Sequence, residues 1–193
     1  MTIVLASASP RRAELLQQIG LEFIVLPSDI DESLHESESV EAYVLRMAKT
    51  KAHAVRQSTQ SDDIVIAADT VVSIDGHILG KPQNESHCLD MLASLSGRVH
   101  TVYTAVVVSQ SDFEGNALSA SDVSFREISQ QEAKNYWSTG EPKDKAGSYA
   151  IQGLGSVFVE HLKGSYSGVV GLPIFELTQL LKQIDVSVLK VSQ

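Results

Sequence analysis

The sequence predicts an α/β fold: a mixed, twisted sheet with flanking helices, set as two lobes around a cleft. Three features carry that expectation. Segments with helical apolar spacing alternate with short apolar segments rich in β-branched residues along the whole chain. Asp75-Gly76 is a strong tight-hairpin signal, so part of the sheet must be antiparallel. Two long strand-like segments then follow one another directly, at Val99–Ser109 and Ala117–Ile128. No internal repeat, low-complexity tract or linker interrupts the 193 residues, which read as one domain spanning 1–193.

Taken in order, Thr2–Ala6 reads as a buried strand. Ser9-Pro10 supplies an N-cap and a first-turn proline for a helix over Pro10–Ile19, which Gly20 closes. Glu22–Leu26 is a second strand. Asp29–Glu41 carries Asp29, Asp31, Glu32, Glu36, Glu38 and Glu41 with no Lys or Arg, and most of it should be exposed loop. Apolar residues from Val40 to Val55 recur at helical spacing within Ser39–Arg56. Ile64–Ile74 is a strand, buried in its first half, and Asn84–Leu95 is a helix stopped near Gly97. The two long strands are expected to join through a Gly-Asn-containing turn. Ser129-Gln130-Gln131-Glu132 has capping-box spacing for a helix running to about Thr139. Short strands at Val157–Glu160 and Asp185–Val191 flank a last helix at about Pro173–Gln183.

Composition excludes several function classes. With 15 Lys and Arg against 24 Asp and Glu, the formal charge is −9, which argues against nonspecific binding to a nucleic-acid backbone. A small phosphorylated ligand needs only a few local cations and is not excluded. Ile64–Ala68, the longest apolar run, falls far short of the roughly 20 residues that span a bilayer, and no secretory signal is read at the N-terminus. One cysteine, Cys88, allows no internal disulfide and suits a reducing cytoplasm. The six histidines are scattered without zinc spacing, and neither a P-loop nor a dinucleotide fingerprint is present.

Four segments are candidates for chemistry. In Leu5-Ala6-Ser7-Ala8-Ser9-Pro10-Arg11-Arg12, a strand passes through small hydroxylated residues into a helix start, leaving backbone N–H groups and the positive dipole end free. Arg11 and Arg12 oppose that dipole, so the segment is either a polyphosphate site or a capped helix with two solvated arginines. Asp69 closes the apolar run Ile64–Ala68, which is costly unless the carboxylate is paired or binds metal. It would lie beyond the carboxyl end of a strand, where open α/β sheets bind ligands. The alternative is an Asp that starts a turn. Gly80-Lys81-Pro82 projects Lys81 from a constrained loop, and Lys51 lies on the long helix; each is equally readable as a solvated lysine. The segment Glu141–Gly153 is dense in glycine and charge, as binding-site walls often are, and Gln152 has the donor and acceptor to read a base edge.

These segments together resemble the Maf family of nucleoside triphosphate pyrophosphatases. The resemblance rests on Ser7-Ala8-Ser9-Pro10-Arg11-Arg12, Asp31-Glu32, Lys51-Ala52, Ala68-Asp69-Thr70, Gly80-Lys81-Pro82 and Ser96-Gly97. It continues with Gly140-Glu141-Pro142, Asp144-Lys145-Ala146-Gly147, Ile151-Gln152-Gly153 and Val170-Gly171-Leu172-Pro173, in the family's order and over nearly the whole chain. Ala150 and Ala8 stand where the family often has glycine. The resemblance implies a two-lobed fold shared with inosine triphosphate pyrophosphatases. It also implies hydrolysis between the α- and β-phosphates and a divalent cation, Mg²⁺ or Mn²⁺. Asp69 takes the proton-acceptor position, Glu32 a metal-holding one, and Ser7, Arg12, Lys51 and Lys81 the positions that grip the triphosphate.

Specificity in the family follows three positions, held here by Arg11, Thr70 and Gln152. These resemble the dTTP/UTP subgroup, whereas the 7-methyl-GTP subgroup carries Trp and Glu at the first and last. The resemblance therefore implies a cytoplasmic enzyme acting on dTTP, UTP and some modified pyrimidine nucleotides, a homodimer at family level, and no nucleic-acid or membrane partner. Two alternatives stand beside it. One is a nucleotide-binding regulator of cell division and septum formation; the other is a purine (inosine or xanthosine) triphosphate pyrophosphatase, against which the Ser-Pro-Arg-Arg motif argues.

Overall fold

Three short segments pair in parallel at one end of the sheet. In the computed structural model, which describes residues 1–188, β1 (Ile3–Leu5) lies between β2 (Ile24–Val25) and the start of β3 (Ile64–Ile74). The rest of the sheet is antiparallel. β4 (His77–Leu79) folds back on the end of β3, and β5 (Val99–Gln110), β6 (Phe113–Phe125) and β7 (Val159–Lys163) follow on the other side. The order is β2-β1-β3-β5-β6-β7, with β4 on β3. This is the expected mixed sheet with flanking helices.

Alternation along β3 assigns its side chains to two cores. Val65, Ala67 and Val71 pack with Val44, Met47, Ala48 and Ala52 of a helix on one face. Ile64, Ile66 and Ala68 point the other way, against Leu15, Leu16, Leu177 and Leu181. The helices are α1 (Pro10–Gln18), α2 (Val40–Arg56), α3 (Glu85–Leu95), α4 (Gln130–Ser138), α5 (Tyr166–Val170) and α6 (Ile174–Lys182). Thus α2 covers one face, and α1, α5 and α6 the other. Beyond Val72 the sheet packs on α3 and α4 in a third core that contains Cys88, Leu92, Tyr136 and Phe158. Cys88 is a buried thiol of that core. Ser39 accepts from Ala42 N at the start of α2, and the Ser129–Glu132 capping box forms in full.

Asp75-Gly76 makes the expected two-residue turn, with φ of 53° and 78° and the register Ile74↔His77. The next hairpin departs from expectation. Its turn is Ser111-Asp112, so β6 starts at Phe113 and ends at Phe125, and Gly115-Asn116 lies inside the strand. Gly115 serves packing: a Cβ there would fall 2.7 Å from the Phe113 ring and 2.9 Å from Leu180. Ser111, with φ of 49°, is held in the turn by bonds from its N–H and hydroxyl to Ser61 O. The strand expected at Val157–Glu160 forms later, over Val159–Lys163, because Leu154–Phe158 coils into a 3₁₀ segment. Residues 185–188 form no strand, and the remainder of the segment expected at Asp185–Val191 lies outside the described residues.

One buried group makes the fold acid-sensitive. His100 is 2% exposed on β5, with Nε2 2.8 Å from the Tyr149 hydroxyl, and burial pulls it down from 6.5 to about 4. Between those values the unfolded chain binds a proton that the folded one refuses, so stability is full above pH 6.5 and falls as pH drops toward 4. The shift corresponds to roughly 3 kcal/mol. Urea unfolding of His100→Gln across this window should lose most of the wild-type slope; an unchanged slope would remove His100 as its source.

Candidate active site

The site sits where β3 runs out of partners. β1 pairs as far as Ile66 and β4 ends opposite Val72, so Ala67–Val71 has no strand on that edge, while β5 holds the other edge throughout this stretch. Asp69 and Thr70 lie in this gap. Alternation turns them apart, Asp69 toward α2 and Thr70 toward α1 and α5. The gap opens into a cleft of about 850 Å³, lined by the strand-to-helix turn after β1, the Gly80-Lys81 loop and residues 144–152.

On the α2 side, Lys51 Nζ sits 2.6 Å from Asp69 Oδ1 and 2.7 Å from Glu32 Oε1. Asp69 is 8% exposed, so this ammonium offsets a carboxylate largely withdrawn from water. Oδ2 of Asp69 has no protein partner among the described residues. Burial raises the Glu32 carboxyl, but the hydrogen bond and charge of Lys51, with Lys81 and Arg12 behind it, outweigh this and hold it below its ordinary value. The acidic loop that carries Glu32 is exposed as expected, yet it is tied to α2. Arg46 grips both oxygens of Glu38 at 2.7 and 2.6 Å and donates to Ser33 O, while the Tyr43 hydroxyl donates to Glu32 O at 2.9 Å. The Arg46 fork brings Glu38 down to about 2. With Asp69 and Glu32 close around Lys51, burial and these charges lift Tyr43 to about 12.

On the α1 side, Arg12 is a hub. It donates from Nε to Gly171 O at 2.8 Å, from Nη1 to Ser7 Oγ at 3.0 Å and from Nη2 to Thr70 Oγ1 at 3.1 Å. Burial lowers its pKa, and the charges of Asp69 and Glu32 act against that. Ser9 occupies the N-cap position of α1 but its side chain caps nothing, so the first-turn N–H groups remain available to an anion.

The far wall is moulded on Glu141. Its carboxylate accepts from the Tyr136 hydroxyl at 2.6 Å, Leu154 N at 2.9 Å and Gly155 N at 3.0 Å, and the Tyr136 oxygen accepts from Ala150 N at 3.1 Å. A Cβ on Gly153 would meet Glu141 at 2.4 Å, and one on Gly155 the Tyr136 hydroxyl at 2.6 Å. Both ends of the segment bearing Gln152 are therefore pinned, and Gln152 itself is exposed in the cleft. Burial raises Glu141, but these hydrogen bonds prevail, with Arg11 adding its charge, and the group stays below its ordinary range. Gly147 N donates to Gly80 O, which ties the Lys81 loop to the same wall.

Residues 2–184 match the family described as Maf-like protein. The dTTP/UTP pyrophosphatase of Methylobacillus flagellatus is 51% identical over 187 residues, covering 96% of this chain and 94% of that protein. The dTTP/UTP pyrophosphatase of Alkalilimnicola ehrlichii is 52% identical over 189 residues, with 95% and 93% covered. The chain belongs to the Maf family. Among solved structures, the Staphylococcus aureus Ham1 protein superposes only partially, at a TM-score of 0.44 with 17% identity over 67% of this chain and 73% of that one.

The nine residues given roles through the Maf resemblance line this one cleft: Ser7, Arg11 and Arg12 from the α1 turn, Glu32 and Lys51 from the α2 side, Asp69 and Thr70 from β3, and Lys81 and Gln152 from the loops. Lys51, expected to grip phosphate, is occupied by the two carboxylates, and Arg12 by Gly171, Ser7 and Thr70. Sequence reasoning missed Tyr43, which anchors the Glu32 loop, and Thr104, behind Thr70. Both read as ordinary members of amphipathic elements. Lys145, paired to Asp144, and Glu141 belonged to motifs already noted, but nothing in the sequence gave them roles.

The Glu141 clamp is directly testable. Glu141→Gln should cost about 1.5–3 kcal/mol, the range for hydrogen bonds to a charged group. It should also release hydrogen-exchange protection at Leu154 and Gly155 while leaving α2 protected. Retained protection at those two amides would show that the loop is held by something else.

Proposed function

We infer that the protein is a nucleoside triphosphate pyrophosphatase that hydrolyses dTTP and UTP, and some modified pyrimidine nucleotides, to the monophosphate and pyrophosphate. The observation that carries the reading is the Asp69–Lys51–Glu32 centre, set in a cleft where cations gather. Five of the chain's 15 Lys and Arg line it (Arg11, Arg12, Lys51, Lys81 and Lys145) against four carboxylates, a local balance of +1 in a chain of −9. A triphosphate carries about four negative charges, and its hydrolysis depends on positioning and charge neutralisation rather than covalent chemistry. The identity of about one half to proteins named dTTP/UTP pyrophosphatase supports the substrate class. The trio Arg11, Thr70 and Gln152 agrees with it.

In this mechanism Asp69 is the proton acceptor. Lys51 holds Oδ1, which leaves Oδ2 to take a proton from the attacking water. The water oxygen forms a new P–O bond as the bridge between the α- and β-phosphates breaks. Ser7, Lys81, the α1 N-terminus and the unused N–H groups of Arg12 hold the phosphates, and Lys51 neutralises charge beside the reacting centre. Asp69 and Glu32, brought to one ammonium, also form a donor set of two carboxylates. That suits a hard divalent cation, Mg²⁺ or Mn²⁺, with phosphate oxygens and water completing its shell. Such a cation would withdraw charge from the phosphates and favour ionisation of bound water. The enzyme acts on free nucleotide in the cytoplasm, without nucleic-acid or membrane partners. No helix among the described residues is long and apolar enough to cross a membrane.

An end-product assay tests this reading. Incubation with dTTP, UTP, CTP, 7-methyl-GTP and ITP, each with Mg²⁺, Mn²⁺ or chelator, should release pyrophosphate and monophosphate only with metal, and fastest from dTTP and UTP. Orthophosphate release would overturn the bond assignment, and binding without turnover would favour a regulator. Asp69→Asn should still unfold in one cooperative transition, at a shifted midpoint because Lys51 loses a buried charged partner, and lose about 10²–10⁴ in kcat, as expected for a general base. Near-wild-type turnover would remove Asp69 from that role.

A further inference from the structure

The loop that carries Glu32 is placed by side chains, and one arginine does most of the placing. Residues 27–38, between β2 and α2, make one backbone–backbone hydrogen bond among the described residues, Glu38 N to His35 O, and it is internal to the loop. The Glu32 carboxylate cannot anchor the loop alone: its side chain is half exposed, and an ion pair that water reaches is a weak constraint. Arg46 supplies the rest. Nε donates to Glu38 Oε1 at 2.7 Å, and Nη2 spends its two protons on Glu38 Oε2 at 2.6 Å and Ser33 O at 2.9 Å. Asp31 accepts from Ser33 N at 2.9 Å and Ser33 Oγ at 3.0 Å, so residues 31–33 form one tight turn and Glu32 moves with Ser33. The same guanidinium stands over the Tyr43 ring, 5.5 Å from its centroid, and the Tyr43 hydroxyl donates to Glu32 O.

We propose that Arg46 is a positioning residue for a metal-holding carboxylate: acting through Ser33 and Tyr43, it keeps Glu32 beside Asp69. This rests on the reading above, in which Asp69 and Glu32 together take a divalent cation. Arg46 does not line the cleft, so its effect must pass through the loop. With the fork gone, the turn at 31–33 loses its tie to α2, and Asp69 is left with Lys51 but without a fixed second carboxylate. Simple electrostatics predicts the reverse effect, because removing a positive charge near a cation site favours the cation. The two accounts therefore differ in sign.

The test is Mn²⁺ binding to the nucleotide-free protein, followed by the electron paramagnetic resonance signal of the free ion. Arg46→Met, which keeps length but removes every donor, should weaken binding about tenfold, as loss of a group that orients a metal ligand does. Glu32→Gln should weaken it at least as much. The double variant should bind no more weakly than Glu32→Gln alone, because a residue that acts through Glu32 then has nothing left to place. Unchanged or tighter binding in Arg46→Met, or losses that add in the double variant, would overturn the proposal while the proposed function stands. If Glu32→Gln binds Mn²⁺ as the wild type does, the reading of Glu32 as a metal donor falls, and this inference with it. Should Arg46→Met no longer unfold cooperatively, Glu38→Gln, which weakens the fork and leaves the arginine in place, provides the same comparison.

Discussion

Everything in this site depends on β3 being longer than the strands available to its outer edge. β1 covers its beginning and β4 its end, and the uncovered stretch between them is where a carboxylate and a hydroxyl stand in a mostly apolar strand. β5 pairs without interruption behind the gap, so the backbone at Asp69 and Thr70 is rigid although one edge is open. Strand alternation then divides the labour. One residue faces α2 and its lysine; the next faces the α1 turn and its arginine. Two chemically different stations are thereby set a single residue apart without any special loop.

The charged groups are organised as a closed account rather than as free-standing ligands. Lys51 satisfies two carboxylates, Arg12 spends its fork on Gly171, Ser7 and Thr70, and Glu38 and Arg46 bind one another. Burying an unpaired charge costs several kcal/mol, so a site prepared for a highly charged ligand must be neutralised internally while it waits. Lys51 does this with two carboxylates, whereas Arg12 has its donors satisfied by a carbonyl and two hydroxyls and its charge faced only by the nearby Asp69 and Glu32; these bonds also fix geometry. Less reorganisation is then left to the moment when ligand arrives.

The sequence was readable where one short-range rule governed the outcome. Asp75-Gly76 could only be a tight turn, the Ser129–Glu132 box could only open a helix, and the periodicity of Val40–Val55 marked α2, though it left Lys51 readable as a solvated lysine. It misled where a long-range contact decided. Gly115-Asn116 looks like a turn, but Gly115 is small because Phe113 and Leu180 occupy its side-chain space. The site was legible in its reacting groups, which are unusual residues in apolar or glycine-rich settings. Its supports were not. Thr104 is an unremarked threonine in a strand, and it reaches the site only because it lies across the sheet from Thr70, within hydrogen-bond distance of Thr70 Oγ1 and Gly168 O, at a sequence distance no periodicity reveals.

The balance of charge on the whole molecule bears on selectivity as much as the cleft does. Polynucleotide binding gains its free energy from counterions released along an extended backbone, which requires basic residues spread over a surface. Here the net charge is −9 and a third of the cations are withdrawn into one concavity. On the proposed function, the net charge works against a long polyanion, while the cleft gathers cations for a compact one whose charge is concentrated on a single terminus. Screening leaves the cleft the more important half of the contrast, because repulsion from a dispersed surface charge fades within about 8 Å at physiological salt, whereas groups inside a partly dry cleft are screened much less. On the proposed function, selectivity between the two kinds of anion therefore does not rest on repulsion alone: the cations proposed to meet the phosphates, Arg12, Lys51 and Lys81, stand together in the cleft.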